Sequence, residues 1–305
     1  MSKIINLFIL FTFSWAINFH TAIGPCKLES SKLSNELLAQ YKNIVIEETK
    51  RLEREYGDAK PKEFNIILAE TELEFGKLSE GVAPEWSTAV TLQNPDKIII
   101  KSLSISHVSE SRMKEIIIHE INHVFLHRIP NSGTMPSWFL EGMAMRASGE
   151  FSFRQKVKIS KARLNGQLFA LSNLYNMNMQ KTSNVGLAYA QSAAAIYTML
   201  YYYNATILVD IIALMRKDID FETAFLTLTG DDMLDFQDKY QNYVKKNYAW
   251  MFLLNTSNLI FVVLPIILVI GIILRYRHNK KIMERWVEED VEAQYEEENT
   301  NDKKD

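Results

Sequence analysis

His119, Glu120 and His123 stand in the order H-E-x-x-H. On a helix the two histidines lie one turn apart on one face, so both imidazoles reach one ion. Glu120, beside the first histidine, reaches a water held by that ion rather than the ion itself. The chemistry served by such a trio is metal-assisted attack of water on a carbonyl. With six histidines in 305 residues, a chance occurrence is on the order of one per cent. The flanking residues lower it further. Residues 109–127 predict one helix, with Ile116, Ile117, Val124 and Leu126 as its apolar packing, Ser109 or Ser111 as its cap and Pro130 beyond its end.

A third ligand decides the kind of site. The extended pattern with a glycine and a third histidine downstream is excluded, because Leu126 and Ile129 occupy those positions. His127 lies eight residues after His119, roughly 80° around the helix, and reads as a helix-end histidine meeting the carboxyl-end dipole. Glu141 is the better candidate. It sits in the run Pro136-Ser137-Trp138-Phe139-Leu140-Glu141-Gly142. The turn over 129–136 permits a reversal into a second helix over 137–147, which brings Glu141 opposite the histidines. Two histidines and one carboxylate leave the fourth position of a tetrahedral zinc for water, the pattern of a catalytic rather than a structural ion.

With these residues the chain resembles the gluzincin zinc peptidases, and most closely the short "peptidase MA-like" group, whose signature joins HExxH to P-x-W-x-x-E-G-x-A. The matching residues are His119, Glu120, His123, Pro136, Trp138, Glu141, Gly142 and Ala144. The resemblance implies one zinc ion held by His119, His123 and Glu141, with Glu120 as general base. The stretch Tyr189-Ala190-Gln191-Ser192 resembles the group's downstream Y-x-Q-S helix start, which makes Tyr189 the candidate donor to the developing oxyanion. The match spans roughly 60–250. It also implies a thermolysin-like α+β domain, with a small N-terminal sheet, the HExxH helix and a helical C-terminal lobe. Two departures stand out. Met145 occupies the position where thermolysin-like enzymes carry an Asp four residues after the ligand Glu, so the partner that orients a ligand histidine is unassigned. There is no G-x-M-E-N exopeptidase box, which favours an endopeptidase.

The rest of the chain bounds where such chemistry would take place. A composition of 47% hydrophobic and 23% charged residues suits a buried core, and a net charge of -3 without a basic arm gives no reason to expect nucleic acid. Cys26 is the single cysteine, so no intrachain disulfide forms. Residues 1–24 read as a signal peptide or an uncleaved anchor: Lys3, then the apolar stretch 4–13, then an end at Ala16 or Ala22. Residues 258–274 are apolar throughout and 251–254 extend them, so 251–274 is expected to be a transmembrane helix. Arg275, Arg277, Lys280 and Lys281 follow at once and place the C-terminus in the cytoplasm. A gluzincin-like domain over 25–250 would then lie outside the cytoplasm, and 275–305 would be a tail that is first basic and then acidic.

The positioning elements follow from periodicity. Residues 34–56 predict a helix capped by Ser34 and stopped by Gly57; 64–69, 86–92 and 97–100 predict strands. An edge strand over 86–91 is expected to pair with an extended peptide, or else to be a core strand only. Helices are expected over 156–176, 186–203, 206–217 and 231–248. The expectation is a membrane-anchored zinc peptidase acting on peptide or protein substrates. The alternative is a catalytically silent anchored scaffold. The sequence leaves the oligomeric state open.

Overall fold

The computed structural model describes residues 15–84, 86–93, 96–129, 134–176, 184–254 and 256–301, with the side chains of Trp15, 254–262, 290 and 292–301 also outside the description. Several expected features therefore lie outside the described residues: Lys3 and the apolar stretch 4–13, the turn residues Pro130, Asn131 and Gly133, and the side chains at the head of the 251–274 span.

The chain divides into two compact units, Met1–Ala249 and Trp250–Asp305. In the first, β1 (Trp15–Thr21), β2 (Gly24–Ser30), β3 (Phe64–Ala69), β4 (Ala89–Gln93) and β5 (Asp96–Lys101) form one sheet in the order β1-β2-β3-β5-β4. The central pairs β2–β3 and β3–β5 are parallel, and the outer pairs β1–β2 and β4–β5 are antiparallel. Of the central strands, β3 and β5 carry apolar runs over 66–69 and 98–100, as strands covered on both faces do, whereas β2 alternates buried and less buried residues. Ile98, Ile99 and Ile100 are fully buried. On one face Ala69 and Ile99 meet Phe75 of α2 (Glu72–Leu78).

Helix α1 (Asn35–Tyr56) joins β2 to β3. The Leu37 amide donates to the Ser34 hydroxyl at 3.3 Å, and Leu38, Tyr41, Val45, Leu52 and Tyr56 form its buried stripe. The short α3 (Leu103–Ser106) leads into α4 (Glu110–His127), whose first turn is capped by Ser109, accepting from the Arg112 amide at 3.2 Å. The far end of α4 is fastened to the sheet by Arg128. Its guanidinium meets Asp96 at 2.6 Å and donates to the carbonyls of Ile23 (2.7 Å), Lys62 (2.8 Å) and Glu63 (3.2 Å). Four acceptor atoms, one carboxylate oxygen and three carbonyls, thus fix where α4 ends relative to the strand ends.

A helical lobe follows: α5 (Ser137–Ser148), α6 (Phe153–Leu164), a 3-10 turn at Leu171–Leu174, α7 (Val185–Tyr202), α8 (Ile207–Met215), α9 (Phe221–Thr229) and α10 (Met233–Tyr248). Trp138 of α5 is buried against Phe221 of α9 and Phe236 of α10, with ring centroids at 5.7 and 5.8 Å. Gly142 lets α5 approach α7 closely. A Cβ there would fall 2.4 Å from the Ser192 carbonyl oxygen, which is backbone and cannot yield.

Four expectations change. The helix expected over 156–176 stops at Leu164, because Gly166 takes φ +65° and the backbone of Phe169 is bound on both its N–H and C=O by the Gln191 side chain, each at 2.9 Å. The expected strand over 86–92 begins only at Ala89, and Trp86 precedes it in a loop. β1, β2 and α9 were not anticipated. Trp15–Thr21 and Gly24 lie within the stretch read as a targeting segment, yet they pair with the rest of the sheet.

The second unit holds a 3-10 turn at Met251–Leu254 and α11 (Thr256–Asn301). Among the described residues no single helix is long and apolar enough to cross a membrane, so the one spanning helix expected over 251–274 is not found: 251–254 form the 3-10 turn and α11 begins only at Thr256. The bent pair α7 and α8, which would suit by composition, is largely the buried centre of the helical lobe.

Removing the Arg128 side chain strands Asp96 and three carbonyls in a nearly buried setting. Arg128→Met should cost about 3 kcal/mol, read as a lower urea midpoint with an unchanged slope in unfolding followed by tryptophan fluorescence. An unchanged midpoint would show that α4 is not anchored there.

Candidate active site

Helix α4 turns His119 and His123 toward α5, which returns Glu141 to meet them, and turns Glu120 toward β4. Glu141 Oε2 lies 3.4 Å from His119 Nε2 and 3.5 Å from His123 Nε2. These are long separations for hydrogen bonds, and Oε2 is buried with no hydrogen-bond partner among the described residues. They match the edge of a tetrahedron around an ion with ligand distances of about 2.0–2.1 Å, which is about 3.4 Å. One ligand atom from each of His119, His123 and Glu141 lies within 4.8 Å of the others. The three expected ligands therefore converge, and the orphaned carboxylate oxygen fits a divalent cation.

The charges agree with this. Burial alone would raise the Glu141 pKa, but His123 and His119 override it and hold it down at about 2. Burial would lower that of His119, but Glu141 and Glu150 together raise it well above the usual imidazole range. Without a cation, a proton on the imidazole must supply the positive charge this carboxylate pocket demands.

Sequence reasoning missed the partner of His119. Glu150 Oε1 lies 3.2 Å from His119 Nδ1, on the side of the ring away from Glu141, an ion-pair separation rather than an aligned hydrogen bond. Arg112 holds Glu150 at 3.1 Å, and the Ser148 hydroxyl donates to it at 3.1 Å. Although burial opposes ionisation, His119 and Arg112 keep the Glu150 carboxyl at about 2. A carboxylate at Nδ1 favours the tautomer whose free lone pair is on Nε2, toward Glu141. Glu150 follows Gly149, the residue that caps α5 in the left-handed conformation, so it lies past the helix and no i, i+4 spacing points to it.

Glu120 is also held. The Thr91 hydroxyl donates to its Oε2 at 2.6 Å. Thr91 lies on β4, at the edge of the sheet, which ties the edge strand to the catalytic candidate on α4. Nothing in the sequence near Thr91 signals this contact.

Tyr189 of α7 comes into the same cleft, its ring centroid 6.4 Å from that of His119. Burial and the charges of Glu141, Glu120 and Glu150 push its pKa upward, so the phenol stays a proton donor. His127 is outside the ligand cluster and contacts Gln93 of β4. The cleft has a volume of about 320 Å³. Trp86, Val90 and Thr91 line one side, and Leu140, Glu141 and Tyr189 the other.

If Glu141 is a ligand and Glu150 orients one, their loss should differ in degree. Glu141→Gln should abolish stoichiometric zinc binding. Glu150→Gln should weaken it by about 10- to 100-fold with the fold intact, as measured by zinc titration against a competing chelator with circular dichroism as control. Equal affinities for both variants and the parent would remove the ion from this site.

Residues 50–246 match the sequence model of the Peptidase MA superfamily. No curated protein matches the chain. The match covers more than half of the 305 residues and encloses α4, α5 and Tyr189, the elements that build the site. The chain belongs to the Peptidase MA superfamily.

Proposed function

We propose that the protein is a membrane-anchored zinc endopeptidase of the gluzincin kind that hydrolyses peptide bonds outside the cytoplasm. The observation that carries this reading is the buried, unpartnered Glu141 Oε2 set between His119 and His123, with Glu120 beside them. His119, His123 and Glu141 would hold the ion. When bound, zinc supplies a Lewis acid that polarises the scissile carbonyl and brings the pKa of water toward about 7.

The chain's own residues do the rest. The outer edge of β4 offers backbone N–H and C=O groups to an extended peptide. Glu120, oriented by Thr91, takes the proton of the attacking water and passes it to the leaving amine. The Tyr189 hydroxyl donates to the oxyanion as it forms. Glu150 and Arg112 keep His119 turned toward Glu141.

Anchoring is supported by α11. Val263, Leu264, Ile266 to Ile270 and Ile272 to Leu274 are all exposed in one continuous stretch, far more apolar surface than a soluble helix leaves uncovered. Arg275 and Arg277 follow it. A leader ending at Ala16 would leave residues 17–21 paired with β2, whereas one ending at Ala22 would remove β1 altogether. The proposed arrangement therefore takes the first end.

Two measurements test the reading. Glu120→Gln should retain zinc yet lose about 10²- to 10⁴-fold in peptide cleavage; full cleavage by this variant would refute the base. The full chain should stay with membranes through alkaline carbonate and be released by detergent, while a chain ended after Ala249 should appear in the soluble fraction. Release of the full chain by carbonate would refute the anchor.

A further inference from the structure

A second recess of about 240 Å³ opens beside the His119–Glu141 centre and shares Trp86, His119, Glu120 and Tyr189 with the larger cleft. The chemistry of the two differs. Away from the ligands the larger cleft is walled by Val82, Pro84, Val90 and Leu140. The second adds Arg112, Glu150, Gln155 and Lys158 to its wall, beside Ile116, Met145 and Gly186.

Most of that polarity is already matched. Arg112 is engaged by Glu115 at 2.7 Å and Glu150 at 3.1 Å. Glu150 is shared between Arg112 and His119. The Gln155 side-chain oxygen accepts from the Ser152 hydroxyl, and the Glu120 carboxylate accepts from Thr91. Lys158 differs: among the described residues no carboxylate lies within ion-pair distance of its ammonium. Lys158 is exposed on α6, but Nζ folds in over the first turn of α7, where a Cβ on residue 186 would lie only 2.3 Å from it. Glycine at 186 is what admits the ammonium to the recess.

The geometry points to this recess as a subsite for a carboxylate on the peptide, with Lys158 as the residue that selects it. The inference deepens the peptidase reading and rests on it for the word substrate. It assigns an acidic side chain, or the free carboxylate of the peptide's last residue, to the Lys158 side of the cleft. The Val82–Leu140 side takes an apolar side chain. A substrate carboxylate there meets one unmatched cation, and of the two carboxylates on the wall Glu150 is answered by Arg112 and Glu120 accepts from Thr91.

The test uses binding, so that it does not depend on turnover. Full-length Glu120→Gln protein, zinc-loaded in detergent, is immobilised and offered a pool of acetylated random octapeptides, half with free and half with amidated C-termini. Retained peptides are read by mass spectrometry. Acidic peptides should be retained about five- to tenfold over their Asn/Gln counterparts. That ratio should fall to near one with Lys158→Met added and invert in favour of basic peptides with Lys158→Glu. Gly186→Ala, which displaces the ammonium without altering charge, should lower the ratio as well. Selection that persists after C-terminal amidation identifies an acidic side chain, and selection confined to free acids identifies the terminal carboxylate. Equal retention of acidic and neutral peptides, or acid selection unchanged by Lys158→Met, overturns the assignment. Hydrolysis of the same pool by the parent protein is scored separately. Acid-selective retention without any cleavage would support the subsite and refute the peptidase reading.

Discussion

A carboxylate oxygen buried between two imidazoles, 3.4 and 3.5 Å from their nitrogens and in no well-formed hydrogen bond among the described residues, is the constraint on which this structure turns. Such a group is costly to bury unless a positive charge is supplied. The chain places it there by bringing α5 back against α4 and holding the return on both sides. Arg128 fixes the end of α4 to the strand termini. Trp138 fixes the start of α5 in the aromatic core of the helical lobe. Gly142, the residue after Glu141, lets α7 press against the same turn. The ligand geometry results from three separate packing contacts, none of which involves the ligands themselves.

Charge alternates outward from that oxygen. Glu115 meets Arg112, Arg112 meets Glu150, Glu150 faces His119, and His119 and His123 face Glu141. With both imidazoles neutral the centre is net negative, because Glu120, Glu141 and Glu150 outnumber Arg112. Either protons or a cation must correct the imbalance. The raised His119 pKa and the depressed Glu141 pKa are the protonic solution of the same problem. A divalent ion solves it with better geometry, since 3.4 and 3.5 Å separations leave room for an ion but are poor hydrogen bonds. The row from Glu115 to His119 then sets the ring's orientation.

The sequence made the chemistry easier to read than the framework. His119, Glu120, His123 and Glu141 were legible because each lies on a helix, where relative position follows from counting residues. α1, α4, α5 and α10 end within a residue or two of where caps such as Ser34 and Ser109 place them. Glu150 and Thr91 were not legible, because one lies past a left-handed cap and the other on a strand whose pairing depends on distant residues. β1 and β2 were hidden for another reason. Apolar residues near the N-terminus serve a targeting segment and an edge hairpin equally well, and only pairing with β3 distinguishes them. The break at Gly166 within an expected helix depends on Gln191, which lies 25 residues further along the chain.

That last contact changes how the downstream motif is understood. Of Tyr189, Gln191 and Ser192, only Tyr189 faces the cleft. Gln191, fully buried, holds both backbone groups of Phe169. The Ser192 hydroxyl donates to the Ala188 carbonyl within its own helix, and the Ser192 carbonyl is the atom that excludes any side chain at position 142. Trp138 and Gly142 in the upstream motif play the same kind of part. Trp138, Gly142, Gln191 and Ser192 therefore set how α5, α7 and the 167–170 segment pack, and His119, Glu120, His123, Glu141 and Tyr189 use the gap this leaves. A chain that kept the packing residues while losing Glu120 would hold the same cavity with no proton acceptor beside it. Because Glu120 is present here, and is itself fixed by Thr91 from the edge strand, the cavity keeps a carboxylate beside the His119–Glu141 cluster.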